Sequence, residues 1–124
     1  MSNSSSNKST SHGSCHCGAV QFTVEHPEFD KAMRCNCSFC KRVGMRLVFL
    51  PAADVQLEQG EDKLTDYQFG KKSIHHPFCS VCGVRPYSHA QGPDGTEMVG
   101  VNIRCLDGVD AFTVPIHDVD GASF

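Results

Sequence analysis

The chain has 124 residues, enough for one domain with a modest core to which a bound structural metal would add stability. Its formal net charge of −3 at pH 7 offers no basic field, which argues against nucleic acid as a main partner. The sequence opens on Ser and Asn rather than on an apolar segment, and the apolar stretch at 45–53 is too short to span a membrane. We therefore expect a cytoplasmic protein with no membrane partner, and nothing in the pattern indicates an oligomeric state.

The N-terminal part of the chain contains little that predicts regular structure. Its first twelve residues lack apolar periodicity, which predicts a disordered leader over 1–12 and a single domain over 13–124. Alternating apolar and polar residues then predict a strand at 20–24 with one buried face. A continuous apolar run at 47–50 predicts a second strand, buried on both faces.

The middle of the chain continues with short strand patterns. Alternation predicts a strand at 55–58, and Tyr67 and Phe69 share one face of another. Each pattern is closed by a glycine, which favours a turn. No segment offers three helical turns of apolar spacing, although 38–43 is suited to a single turn.

The C-terminal part adds two further strand patterns. Alternation over 99–105 predicts an amphipathic strand whose buried face ends in Cys105, a thiol expected to be inert. A last strand is predicted at 112–116, where Pro115 places it at a sheet edge. The pattern as a whole predicts a small, mainly β domain stabilised by bound zinc.

Seven of the eight cysteines fall into three short groups. Zinc prefers four sulfur or nitrogen ligands in a tetrahedron, and a short loop can aim two or three sulfurs at one point. Four disulfides in a secreted domain are the less favoured alternative, because the chain shows no export signal. The groups are Cys15-His16-Cys17, Cys35-Asn36-Cys37-Ser38-Phe39-Cys40 and Cys79-Ser80-Val81-Cys82.

Two of these groups are complementary. Cys79 and Cys82, followed by Gly83, are typical of a knuckle whose two thiolates point to one side of a tight turn. Cys15 and Cys17 lie two residues apart, so in an extended segment both face the same way. We expect these four cysteines to form one structural site that adds folding free energy.

The remaining group places three thiolates within six residues, at Cys35, Cys37 and Cys40. Three ligands can form a cup around one metal ion and leave its fourth position open, as in catalytic zinc sites. A zinc ion with three thiolates is electron-rich, so it suits binding a thiol better than generating hydroxide.

The spacing alone leaves other arrangements open. The pair Cys35 and Cys37 can also be matched with the Cys79–Cys82 knuckle. A fourth ligand for the trio is also conceivable, although a surface or core position is more typical of each candidate. These candidates are His16, His75, His76 and Cys105.

Several stretches resemble the glutathione-dependent formaldehyde-activating enzyme family, also called the centromere protein V/Gfa domain. The matching stretches are 13–20, 35–40 and 78–86, and 101–108 is also similar. The resemblance implies an Mss4-like fold of several small coiled β-sheets. It also implies two zinc ions, a structural one on Cys15, Cys17, Cys79 and Cys82 and a catalytic one on Cys35, Cys37 and Cys40.

The activity that the resemblance implies is a carbon–sulfur lyase type of reaction. Such an enzyme condenses glutathione with formaldehyde or a related small aldehyde, forming S-hydroxymethylglutathione in the case of formaldehyde. The glutathione sulfur would take the open position at the catalytic zinc. Arg34, Lys41 and Arg42 flank the metal loop and are candidates for binding the carboxylates of the tripeptide. The alternatives are a non-catalytic zinc module that binds glutathione or another thiol, and a purely structural second zinc.

Overall fold

The computed structural model describes residues 8–123, and over this range the chain forms ten strands and one short α-helix, α1 (Cys40–Val43). Short 3₁₀ turns lie at Ala52–Asp54, Glu61–Lys63, Ile103–Cys105 and Gly121–Ser123. The strands in chain order are β1 (Ser9–Ser14), β2 (Gln21–His26), β3 (Ala32–Cys35), β4 (Leu47–Pro51), β5 (Val55–Gln59), β6 (Leu64–Tyr67), β7 (His76–Cys79), β8 (Tyr87–Gln91), β9 (Glu97–Asn102) and β10 (Ile116–Val119).

The strands form three sheets. One has three strands in the order β1-β2-β5, a second has five in the order β10-β3-β4-β9-β8, and the third pairs β6 with β7. The neighbours are antiparallel except for β10, which runs parallel to β3 at the edge of the five-stranded sheet. Several small sheets with little helix confirm the predicted mainly β fold class.

Two separate cores hold these sheets together. The larger one packs β2 against the five-stranded sheet, with Phe22, Val101 and Ile103 fully buried. The smaller one contains Cys15, Val20 and Cys79, so cysteines take the place of larger apolar side chains there. Burying apolar area stabilises the fold in proportion to that area, and this second core is too small to do so without help.

The strand predictions are confirmed where the alternation is regular. β2, β5 and most of β9 lie where they were expected. The strand predicted at 112–116 is wrong in position, because Thr113 closes a turn onto the Asp110 carbonyl and the edge strand β10 begins only at Ile116. The 99–105 pattern ends early because Asn102 accepts a hydrogen bond from the Arg104 N–H and starts a 3₁₀ turn. The expectation that β4 is buried on both faces is wrong, since Phe49 is 47% exposed.

The predicted disordered leader overlaps the first strand of the fold. Residues 1–7 lie outside the described part of the chain, but from Ser9 onward the prediction of disorder is wrong, because β1 pairs along its whole length with β2. Backbone pairing onto an existing strand needs no apolar periodicity, so the polar composition gave no sign of it. The Phe22 ring lies directly against Gly13, where any side chain would collide with it.

Among residues 8–123, no helix is long and apolar enough to cross a membrane.

Replacing Gly13 with alanine tests whether β1 is an integral part of the fold. The new methyl group would press on the fully buried Phe22 ring. We expect the free energy of unfolding in urea to fall by about 1 to 3 kcal/mol, as overpacking usually costs. Gly92→Ala is the matched control, because the nearest atom to its new methyl lies 3.5 Å away. Equal unfolding midpoints for the two variants would show that β1 contributes nothing.

Candidate metal centres and the cavities beside them

The structure brings four cysteines from two distant segments together. The Sγ atoms of Cys15, Cys17, Cys79 and Cys82 all lie within 4.8 Å of one another. The Sγ atom of Cys17 is 3.7 Å from that of Cys15 and 3.7 Å from that of Cys79. Sulfurs at about 2.3 Å from a tetrahedral zinc are separated by about 3.8 Å. The spacing of this cluster therefore fits a zinc–thiolate tetrahedron.

Local hydrogen bonds aim these sulfurs. The loop after β1 closes on itself, since the Val20 N–H donates to the Cys15 Sγ at 3.3 Å. The knuckle after β7 closes through a bond of 2.7 Å from the Gly83 N–H to the Cys79 carbonyl. Gly83 has a φ of +84°, which a residue with a side chain rarely adopts. Each pair is thus arranged by its own turn. The sequence predicts this for Cys79 and Cys82, whereas Cys15 and Cys17 were expected in an extended segment and lie instead in a closed loop.

The other three cysteines form a second cluster. The Sγ atoms of Cys35 at the end of β3, Cys37 in the following loop and Cys40 at the start of α1 also lie within 4.8 Å of one another. The Cys37 N–H donates to the Cys35 Sγ at 3.4 Å, and the Cys40 N–H donates to the Cys37 Sγ at 3.3 Å. Such N–H donors stabilise sulfur in the thiolate form that a metal requires.

Within the described residues, no fourth His, Cys, Asp or Glu atom joins this trio. The thiol of Cys105 instead faces the Arg85 carbonyl at 3.9 Å, and burial raises its pKa to about 11, as expected for an inert thiol. The Nδ1 atom of His75 pairs with Asp66 at 2.6 Å, and His16 is exposed. The trio can therefore hold a metal ion and leave one position without a ligand from this part of the chain.

The crowding of sulfurs affects which of them can ionise. Burial, reinforced by the sulfurs of Cys37 and Cys35, raises the pKa of Cys40 to about 12. In the four-sulfur cluster burial opposes ionisation of Cys82, but the Val84 N–H and other donors outweigh it and lower the pKa to about 6. Neighbouring thiolates cannot all ionise without a positive charge between them, and a divalent metal supplies it. Both donor sets therefore fit zinc.

Two cavities of different character adjoin the trio. The apolar cavity, of about 470 Å³, is bordered by all three of its cysteines and by Phe49, Phe69, Ile74 and His76 among others. The polar cavity, of about 520 Å³, is bordered by two of the cysteines and by Arg34, Lys41, Asp118 and Asp120 among others. The apolar wall was not predicted, because its side chains come from segments that meet only in the folded chain.

The three predicted carboxylate-binding residues do not form one cluster of cations. Arg34 lines the polar cavity but donates two hydrogen bonds to Asp118, at 2.7 and 3.2 Å. Lys41 lines the same cavity. The Arg42 guanidinium donates to the Ser38 carbonyl at 2.6 Å, and Arg42 borders neither cavity. The polar cavity thus carries charges of both signs.

Aromatic stacking fixes the trio loop to the rest of the molecule. The Phe39 ring, between two of the cysteines, lies 4.3 Å from the His76 ring. The Arg85 guanidinium lies 4.9 Å from the Phe39 ring centre and 4.8 Å from that of Phe78. Cation–π contacts of this kind are worth more where water is excluded. The loop that carries the trio is therefore held against β7 and the segment after the knuckle.

Comparison with known proteins gives consistent matches. The sequence profile of a family described as "Glutathione-dependent formaldehyde-activating enzyme" matches residues 10–118. A curated protein of Halomonas elongata, provisionally named as such an enzyme, is 35% identical over 78 residues, which are 56% of this chain and 50% of that protein. The match thus spans half the length of that relative. A crystal structure of a Rhodobacter sphaeroides protein has a TM-score of 0.75 and 38% identity, and the alignment covers 86% of this chain and 99% of that one.

Serine substitutions should separate the roles of the two clusters. Cys79 is fully buried in the smaller core, so Cys79→Ser should lose one metal ion and lower the free energy of unfolding by about 4 kcal/mol or more. Cys40→Ser should also lose one metal ion but cost only about 1 to 2 kcal/mol, because the trio borders cavities. Native mass spectrometry counts the metal, and urea denaturation measures stability. Equal losses of stability would contradict this division.

Proposed function

Because the chain belongs to the glutathione-dependent formaldehyde-activating enzyme family, we propose that it is a cytoplasmic enzyme that joins the thiol of glutathione to an aldehyde. The observation that carries this proposal is the three-cysteine cluster, which has no fourth ligand among the described residues and opens on two cavities. A zinc ion bound to Cys35, Cys37 and Cys40 would lower the pKa of a bound thiol, so that its sulfur reacts as a thiolate. A second zinc on the four-cysteine cluster would serve folding.

The polar cavity suits the tripeptide. Glutathione carries two carboxylates and one ammonium group, so its site needs charges of both signs. Lys41 and Arg34 offer donors for carboxylates. The Arg34 hydrogen bonds lower the pKa of Asp118, which therefore stays ionised and can accept from an ammonium group. This arrangement supports binding of a zwitterion better than binding of a simple anion.

The proposed reaction is an addition that needs no oxidant. The sulfur forms a bond to the carbonyl carbon, and the electron pair of the C=O π bond moves to the oxygen. That oxygen takes up the proton that the thiol lost, so the product is a hemithioacetal. What the chain contributes is position: it holds the thiol and the carbonyl on adjoining sides of one three-cysteine cluster. Written in reverse, the same step cleaves a carbon–sulfur bond, which is the lyase direction.

Loss of one trio sulfur should abolish catalysis. In Cys40→Ser the rate of glutathione–aldehyde condensation should fall to the rate without protein, because the metal site is incomplete. The condensation is followed by exchange NMR at equilibrium, since it also proceeds unaided. Cys105→Ser is the control and should keep its activity, because that thiol lies outside both clusters. A wild-type protein that binds glutathione without accelerating the exchange would instead be the non-catalytic thiol-binding module.

Removing a cation from the polar cavity should weaken glutathione binding alone. For Lys41→Ala we expect KM for glutathione to rise about two- to fivefold with kcat unchanged, as for other exposed ion pairs. Lys71→Ala is the matched control, because Lys71 is exposed but does not border this cavity. An unchanged KM in Lys41→Ala would place the tripeptide elsewhere.

A further inference from the structure

We infer that the apolar cavity receives the aldehyde, and that the preferred aldehydes carry an unbranched or aromatic apolar chain of several carbons rather than being formaldehyde. This inference rests on the proposed function and names the substrate class of the same site. It follows from the volume of the cavity, the side chains that line it and the position of its one buried imidazole.

The volume is far larger than formaldehyde requires. At about 470 Å³ the apolar cavity has the size of an ordinary small-molecule site. Formaldehyde has only two heavy atoms and needs little more than the roughly 30 Å³ of a water molecule. With formaldehyde bound, most of this wall would contact only water. A chain of about five to seven carbons would fill a much larger part of it.

The wall of this cavity carries large apolar side chains that are partly exposed to solvent, and a bound substrate would cover them. Phe49, Phe69 and Ile74 line the cavity and are 47%, 39% and 44% exposed. They come from β4 and from the segment between β6 and β7, so two separate stretches of backbone position them around one space. A contiguous apolar patch of this kind, next to reactive sulfurs, is typical of a ligand-binding surface.

The charges of glutathione exclude the tripeptide itself from this cavity. Its carboxylates and ammonium group would lose water against Phe49 and Ile74 without gaining ionic partners. The polar cavity on the other side of Cys35 and Cys40 offers those partners. The apolar side therefore remains for the second substrate.

The aldehyde oxygen also needs a polar partner in this setting. His76 lines the apolar cavity and is only 7% exposed; its Nδ1 atom is buried without a hydrogen-bond partner in the described chain, so Nε2 is the ring nitrogen left for a ligand in the cavity. A neutral imidazole has one donor and one acceptor nitrogen, so it can pair with the hydroxyl of a hemithioacetal. Burial, followed by the charge of Arg85, lowers the pKa of His76, which keeps the ring neutral near pH 7. His76 would thus orient the oxygen while the chain lies along the wall.

The direct test is a chain-length series with the metal-loaded protein. Exchange NMR would give the accelerated rate for glutathione with formaldehyde, propanal, butanal and hexanal, each corrected for its rate without protein. We expect kcat/KM to rise about threefold to fourfold for each methylene buried, and to level off once the cavity is full. A series that is flat, or that is highest for formaldehyde, would overturn the inference while leaving the proposed function intact.

Substitutions in the wall of the apolar cavity test whether the chain-length effect arises there. Phe49→Ser should abolish most of the gain in kcat/KM for hexanal relative to formaldehyde. Ile74→Ser, on the segment between β6 and β7, should reduce the gain in the same direction and covers the case in which Phe49→Ser does not fold. Phe112→Ser is the matched control, since Phe112 is 73% exposed but lies outside this cavity. An equal loss in Phe112→Ser would contradict the assignment of the site.

A binding measurement tests the apolar site without requiring catalysis. S-hexylglutathione carries the apolar chain on sulfur but cannot react, and S-methylglutathione is its short control. Calorimetry should show at least about thirtyfold tighter binding of the hexyl compound to the wild type. Tight binding of the hexyl compound without any catalysis would contradict the proposed enzymatic function but support the apolar site. Equal affinities, or no binding of either, would overturn the inference.

His76→Phe separates orientation of the oxygen from binding of the chain. The phenyl ring keeps the apolar contacts but cannot bond to oxygen, so kcat should fall at least tenfold for all aldehydes alike. Binding of S-hexylglutathione, which has no hydroxyl, should change by less than about threefold. A parallel loss of both would show that His76 only supports the fold of the wall.

Discussion

The repulsion among closely spaced thiolates is the constraint on which this molecule depends. Two segments 62 residues apart present sulfurs 3.7 Å from one another, and these sulfurs can all be thiolates only around a cation. The smaller core is built from two of those cysteines and one valine, so it cannot hold the two segments together by apolar burial alone. A metal in the four-cysteine cluster would join the end of β1 to the end of β7 and so supply much of the stability of the fold.

The second cluster has the same chemistry but a different neighbourhood. Its loop is held in place by the contacts of the Phe39 ring with His76 and Arg85, rather than by burial of the sulfurs. Gly121, just after β10, comes so close to the Cys35 sulfur that any side chain there would collide with it. The edge strand β10 and the turn that follows therefore form one side of the trio. The fold supports this cluster and yet leaves it open to two cavities.

The contrast between those cavities suggests that each binds a different substrate. Charges of both signs surround one, whereas half-exposed Phe and Ile side chains surround the other, and Cys35 and Cys40 border both. A two-substrate addition needs its partners on either side of the reacting atoms, held at reaction distance. In our proposal the polar side takes the tripeptide and the apolar side takes the aldehyde.

The sequence by itself determined the grouping of the cysteines and the mainly β character of the chain. Both are local properties: a knuckle needs only Cys79, Cys82 and Gly83, and the alternation in β2 lies within one strand. Tertiary structure alone decided that a polar segment becomes β1, that Arg34 is paired with Asp118, and that an apolar wall faces the trio. These features depend on contacts between different segments of the chain, and neither the composition nor the periodicity of either partner carries that information.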